Sequence, residues 1–156
     1  MEVENSGLLM ENHMLVKKVQ MLASNFLCEG NTMRYTNVNE WQEMQRELAQ
    51  CMHVLVRQKG QTTEEEAEII LAILMGYTLA IRNPQHIDMA LERAERVLPL
   101  LENSVLKCHL AAFCYAESGD EELSDMVYGL LEELKAAGRS EEIGWVEVLL
   151  ESMMVE

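Results

Sequence analysis

Four histidines and four cysteines are the residues of this chain best suited to nucleophilic or metal chemistry, and their spacing argues against both. His13, His53, His86 and His109 fall in four separate helical patterns. The closest candidate pair, Cys108 and His109, is adjacent, so on a helix the two side chains point about 100° apart and cannot share a proton. Cys28, Cys51, Cys108 and Cys114 fit no zinc spacing and sit among apolar residues, where a thiol serves as a small hydrophobe. No phosphate-cradling glycine loop, nucleophile elbow or His-Glu-x-x-His pattern is present. Glu64, Glu65 and Glu66 could mimic an acid–base pair, but three acids in a row where a helix starts are explained by capping and the helix dipole. Five carboxylates around residues 121–133 could face a divalent cation, yet no Asp-x-Asp-x-Asp-Gly loop holds them in calcium geometry. The reading is therefore a non-enzyme with no catalytic residue, cofactor or metal.

Charge points toward a macromolecular partner. Acidic residues outnumber basic ones 27 to 12, a formal net charge of −15. Residues 1–60 hold seven acids against six bases, and the remainder holds twenty against six. Such a field repels nucleic acid and anionic membrane and draws basic proteins, although plain solubility would also account for it. Met1 is followed by Glu2 and Glu4 rather than by a basic and then apolar signal segment, so a cytoplasmic protein is expected.

The elements that position these residues are all helical, and no segment reads as a β-strand. A chain of 156 residues is the size of one domain and can bury about 70% of its unfolded surface. The stretch from Thr62 to Arg82 predicts a buried central helix. Thr63 and Glu66 have capping-box spacing, Ile69 to Ile81 leaves no polar face, and Gly76 costs about 1 kcal/mol against Ala unless a neighbouring helix crosses there. Before it, Leu8, Leu15, Val19, Leu22 and Phe26 make the stripe of a helix over about 7–28. Asn39 is expected to cap a second helix carrying Trp41, Met44, Leu48, Cys51, Met52 and Leu55, closed at Lys59-Gly60.

After Asn83-Pro84 a fourth helix buries Ile87, Ala90, Leu91, Ala94, Val97 and Leu98 and turns Glu92, Arg93, Glu95 and Arg96 outward. Asn103 or Ser104 caps a fifth helix, Val105 to Ser118, ended by Gly119, and Ser140 is expected to cap a seventh with a stripe through Ile143, Trp145, Val146, Leu149, Leu150 and Met153. The expected fold is all-α: one domain over 1–156, with an N-terminal hairpin at about 7–60, a core at about 62–152, and six to seven antiparallel helices around the central one. The alternative is a tetratricopeptide-like solenoid of helical hairpins, suggested by Ala112, Tyr115 and Gly119-Asp120. Only one such copy is visible where about three are needed.

The sixth helix, Asp120 to Ala137, separates its faces most sharply. Leu123, Met126, Val127, Leu130, Leu131 and Leu134 cover one side; Glu121, Glu122, Asp125, Glu132 and Glu133 form a carboxylate ridge on the other. Tyr128 falls at the edge of that ridge, unlike the other tyrosines and tryptophans, which read as core. An aromatic beside carboxylates suits an anchor for a basic partner.

The runs Glu64-Glu65-Glu66-Ala67, Leu71-Ala72-Ile73-Leu74-Met75-Gly76-Tyr77, Ser104-Val105-Leu106-Lys107, Phe113-Cys114-Tyr115-Ala116-Glu117 and Asp120-Glu121-Glu122-Leu123 resemble the UpxZ family of bacterial capsular-polysaccharide regulators. The likeness is strongest over residues 62–135. It implies a regulatory binding protein that antagonises the NusG-like antitermination factors of non-cognate capsule loci by protein contact. It assigns no site residue. The ridge formed by Glu121, Glu122, Asp125, Tyr128, Glu132 and Glu133 is the expected contact surface. Without the resemblance, a helical adaptor in an unrelated pathway would fit the same residues.

Overall fold

The computed structural model describes residues 13–22, 38–77 and 83–154. Among these, seven α-helices and two short 3₁₀ turns, Leu98–Leu100 and Ser140–Ile143, account for the regular structure: α1 (residues 13–22), α2 (Val38–Leu55), α3 (Thr63–Met75), α4 (Pro84–Val97), α5 (Val105–Ser118), α6 (Glu121–Ala136) and α7 (Gly144–Met154). The all-α expectation holds.

Two helices rather than one occupy the centre. In α3 every residue from Ile69 to Met75 is buried, and α5 buries Cys108 and the unbroken run Leu110–Cys114. Each fully buried aliphatic or aromatic side chain contributes roughly 1.5–3 kcal/mol through removal from water, so these two segments supply a large share of the driving force. Helix α3 packs against α4 and α5; α5 packs against α3, α6 and α7. A solenoid repeat touches only its neighbours in the stack. The contacts of α5 with α3 and α7, next but one to it in the chain, make it the hub of the packing, and stacked neighbouring helical hairpins share that contact pattern.

The start of α3 differs from the capping box expected at Thr63. Thr62 is the cap, its hydroxyl accepting the Glu65 amide at 3.0 Å. That shift places Glu66 one position further round the helix, where its carboxylate cannot reach back to the cap. Instead it accepts the Gly60 amide at 2.8 Å and a two-pronged ion pair from Arg93 of α4, with Nε to Oε2 and Nη2 to Oε1 both at 2.9 Å. Arg93 also donates to the Gln58 carbonyl at 2.9 Å, so it turns inward rather than outward with Glu92, Glu95 and Arg96. Gly60 is fixed by the same closeness: a Cβ there would lie 2.5 Å from Glu66 Cα and 2.7 Å from the Glu65 carbonyl carbon, backbone atoms that cannot give way.

At the other end, α3 stops at Met75 and a wider turn carries Gly76 and Tyr77; the continuation to Arg82 lies outside the described residues. The crossing at Gly76 is present. A Cβ there would meet the thioether of the fully buried Met52 of α2, with Cε at 2.7 Å. Gly76→Leu is therefore expected to destabilise. Propensity favours Leu by about 1 kcal/mol, while forcing it against Met52 costs about 1–3 kcal/mol. Urea denaturation measures the balance, and a variant at least as stable as the parent would show that the contact yields freely. Beyond the turn, Tyr77 is buried and stacks on His86 of α4, ring centroids 5.2 Å apart.

The N-terminal pair is partly described. Val16, Val19 and Leu22 are buried while Leu15 is only partly so, which turns α1 slightly from the expected stripe. Lys18 bonds Glu47 at 2.6 Å, placing α1 beside α2. Both partners are well exposed, so the pair adds little stability. Leu8, Phe26 and Cys28 lie outside the described residues, as do the side chains of Trp41, Trp145 and Met153. Helix α2 begins at Val38, so Asn39 lies inside its first turn rather than capping it, and the helix ends at Leu55, short of Lys59.

Asn83 caps α4 by accepting the His86 amide, and Ser104 rather than Asn103 caps α5 by accepting that of Lys107. Gly119, at φ 71°, closes α5 and turns the chain into α6. Ser140 caps no helix: Ser140–Ile143 forms a 3₁₀ turn without a side-chain cap, and α7 begins at Gly144. His109 lies against this turn, its Nε2 3.0 Å from the Glu142 carbonyl.

Candidate functional site

The face of α6 away from the core is held in place by four fully or largely buried residues, Val127, Leu130, Leu131 and Leu134, with Leu123 and Met126 packed partly beneath. Asp120 caps the helix through the Glu122 amide at 2.9 Å. Anchored this way, Glu121, Glu122, Asp125, Glu132 and Glu133 all point to water, and Tyr128 among them is 44% exposed. At about 100° per residue, Glu121, Asp125, Tyr128 and Glu132 fall on one line, with Glu122 and Glu133 on its flank.

Local roles account for some of these acids. Glu121 and Glu122 stand in the first turn, where the helix dipole favours negative charge. Glu133 accepts a hydrogen bond from Asn103 at 3.0 Å and so ties α6 to the α4–α5 connection. Asp125 and Glu132 have no such role, and like charges at this spacing repel by a few tenths of a kcal/mol.

The surface continues onto α7 in a way the linear sequence does not reveal. Tyr128, Leu131, Glu132 and Lys135 of α6 share a shallow cleft of about 290 Å³ with Glu147, Leu150 and Glu151. Lys135 bonds Glu147 at 3.2 Å across it. Glu147 and Glu151 thus extend the acidic face around the exposed tyrosine. Their spacing from one another marks a helix face, but only the packing of α7 against the rest of the bundle puts them beside α6.

The residues with chemical potential are not brought together. Cys51, Cys108 and Cys114 are free and buried, and burial pushes the thiols of Cys108 and Cys114 up to about 11 and about 12. Such thiols are poor nucleophiles at neutral pH. Burial pushes His109 down to about 4, only partly offset by the Glu142 carbonyl and charge, so it stays neutral and bonds backbone. Among the described residues no group of three or more His, Cys, Asp or Glu side chains is placed to hold a metal ion, and no helix is long and apolar enough to cross a membrane.

This all-α bundle has a counterpart among known proteins. The model of the UpxZ family of transcription anti-terminator antagonists matches residues 16–116. The chain belongs to the UpxZ family. The match begins in α1 and runs to within two residues of the end of α5, so it takes in the N-terminal pair, which lies outside the stretch 62–135 where the sequence likeness is strongest. The crystal structure of a transcription anti-terminator antagonist UpxZ from Bacteroides uniformis superposes with a TM-score of 0.69 at 23% identity, covering 89% of this chain and 94% of that one. The UpxZ fold is therefore shared along nearly the whole length. No curated protein matches the chain.

Proposed function

We propose that this chain acts in the cytoplasm as a binding protein that antagonises NusG-like antitermination factors serving non-cognate capsular-polysaccharide loci. The observation that carries this reading is the family match over residues 16–116. The proposed contact surface is the exposed ridge of Glu121, Glu122, Asp125, Tyr128, Glu132 and Glu133, and the proposed working unit is the whole chain, 1–156, with the hairpin of about 7–60 seated on the core of about 62–152. An acidic protein opposing a basic, RNA-associated factor is physically economical: its own charge keeps it off nucleic acid and speeds its encounter with the factor. No chemistry by this chain is required.

Transcription in vitro through a terminator, with a NusG-like factor supplied, tests the proposal. Addition of the protein lowers read-through driven by a non-cognate factor more than read-through driven by the factor encoded beside it. Equal effects on both would remove the selectivity, and no effect on either would return the chain to the helical-adaptor class.

A companion expectation is that the protein alone shifts neither DNA nor RNA in electrophoresis at low salt. The twenty acids against six bases beyond residue 60 give almost no counterion release to drive such binding. A tight complex with either nucleic acid would contradict the mode of action.

A further inference from the structure

Beyond the acidic face, the structure gathers positive charge at one place. A cleft of about 340 Å³ opens between α3, α4 and the turn after α2, and its lining includes four of the chain's twelve Lys and Arg residues, Arg57, Lys59, Arg93 and Arg96, with Glu66 as the sole carboxylate. Glu66 is already committed to Arg93 and the Gly60 amide. Lys59 lies near enough to help hold that carboxyl below its ordinary range. Among the described residues no carboxylate is paired with Arg57 or Arg96, and both are exposed. The floor is apolar, made by Val56, Ile73, Ala90 and the exposed Met89, with the His86 ring at one side.

In a chain with 27 acids, setting Arg57 and Arg96 beside the Arg93–Glu66 pair with no carboxylate of their own is a cost that folding does not require. Guanidinium groups match phosphate oxygens in pairs, and a lysine adds a point charge to the same anion. The net negative field of the molecule does not prevent this. At physiological salt, charge is screened over about 8 Å, and the acidic ridge is carried by α6, which packs on α5 rather than on α3 or α4. The volume is at the small end of ligand pockets.

We propose that this cleft binds a diphosphate-bearing small molecule, its phosphates held by Arg57, Lys59 and Arg96 and any attached ring or sugar lying on Met89, Ala90 and His86. Two sources share that chemistry, a nucleoside diphosphate and free pyrophosphate. Isothermal titration of the full chain with ADP and with pyrophosphate, at constant ionic strength, separates them. Tighter binding of ADP than of pyrophosphate assigns the apolar floor to the nucleoside; equal binding assigns the site to the phosphates alone. In either case Arg57→Ser with Arg96→Ser is expected to weaken binding at least about tenfold, since each lost charge-assisted hydrogen bond is worth about a decade in affinity. Arg93 is left intact, and circular dichroism of the double variant checks that the fold is kept. No saturable heat with either ligand up to about 10 mM, a range in which affinity would be negligible, would overturn the proposal. So would unchanged binding in the folded double variant, or binding of single-stranded RNA through these residues with neither small ligand bound.

Discussion

Replacing Glu121, Asp125 and Glu132 together by Lys is expected to slow association with a non-cognate NusG-like factor by about ten- to a hundredfold at low salt, the range over which complementary charge steers encounter. The three side chains share one face of α6 and all are exposed, so the variant keeps its fold and its unfolding midpoint stays close to the parent's. The salt dependence of the association rate falls as well, because steering is the component that salt screens. Rates measured at two salt concentrations give both quantities. If parent and variant associate equally fast, the carboxylates of the ridge do not steer the encounter. The next candidate is then the α6–α7 cleft, where Tyr128 and Leu131 supply apolar area that a partner could bury without relying on steering. Tyr128→Ala distinguishes that case, since loss of an aromatic anchor acts on dissociation rather than on the rate of encounter.

Removal of the Arg93 guanidinium should produce the largest loss of stability from one polar substitution. Arg93→Met keeps the apolar stem and leaves the Glu66 carboxylate facing only the Gly60 amide and the Lys59 charge, with the Gln58 carbonyl stripped of a donor. Breaking a buried ion pair costs about 3–5 kcal/mol. Here the side chains are 19% and 21% exposed, and a cost of about 2–4 kcal/mol is expected by urea denaturation at neutral pH.

The acid dependence follows from the same pair. Burial alone would push the Glu66 carboxyl up, but the Arg93 hydrogen bond, the Gly60 amide and the charges of Arg93 and Lys59 outweigh it and hold the group below its ordinary value of 4.5. A carboxyl lowered in the folded state binds fewer protons there than when unfolded. Its contribution is thus complete above about pH 4.5 and is lost as pH falls through the folded value. Glu66→Gln, which cannot ionise, lacks this component, so its stability falls less steeply in acid than that of the parent. Parallel slopes would show that Glu66 gains nothing from ionisation.

These residues also show where sequence stops being informative. Periodicity and punctuation alone determined α4, α5 and α6. Pro84 and Asn83, Ser104 and Gly119, and the alternation of leucines with acids on α6 act through local backbone chemistry and a 3.6-residue repeat, and both are written in neighbouring residues. The run from Ile69 to Met75 likewise announces a buried helix, because it has no side for water. The exposure of the acidic face and of Tyr128 follows from the same arithmetic once the leucines are buried.

Tertiary structure decided what depends on partners distant in the chain. Arg93 reads as an outward charge on α4 because its place on the helix is peripheral; it turns inward because Glu66, 27 residues earlier, presents two oxygens in line with its two nitrogens. The shift of the cap from Thr63 to Thr62 belongs to that event, since it frees Glu66 from its own helix end. The second central helix, α5, was legible as buried but not as a hub, because being a hub requires both α3 and α7 to pack on it. Glu147 and Glu151 beside Tyr128, and Arg57 and Lys59 beside Arg96, are products of helix packing. Local propensity sets which face a helix buries, whereas the neighbours met by the other face are fixed only when the bundle closes.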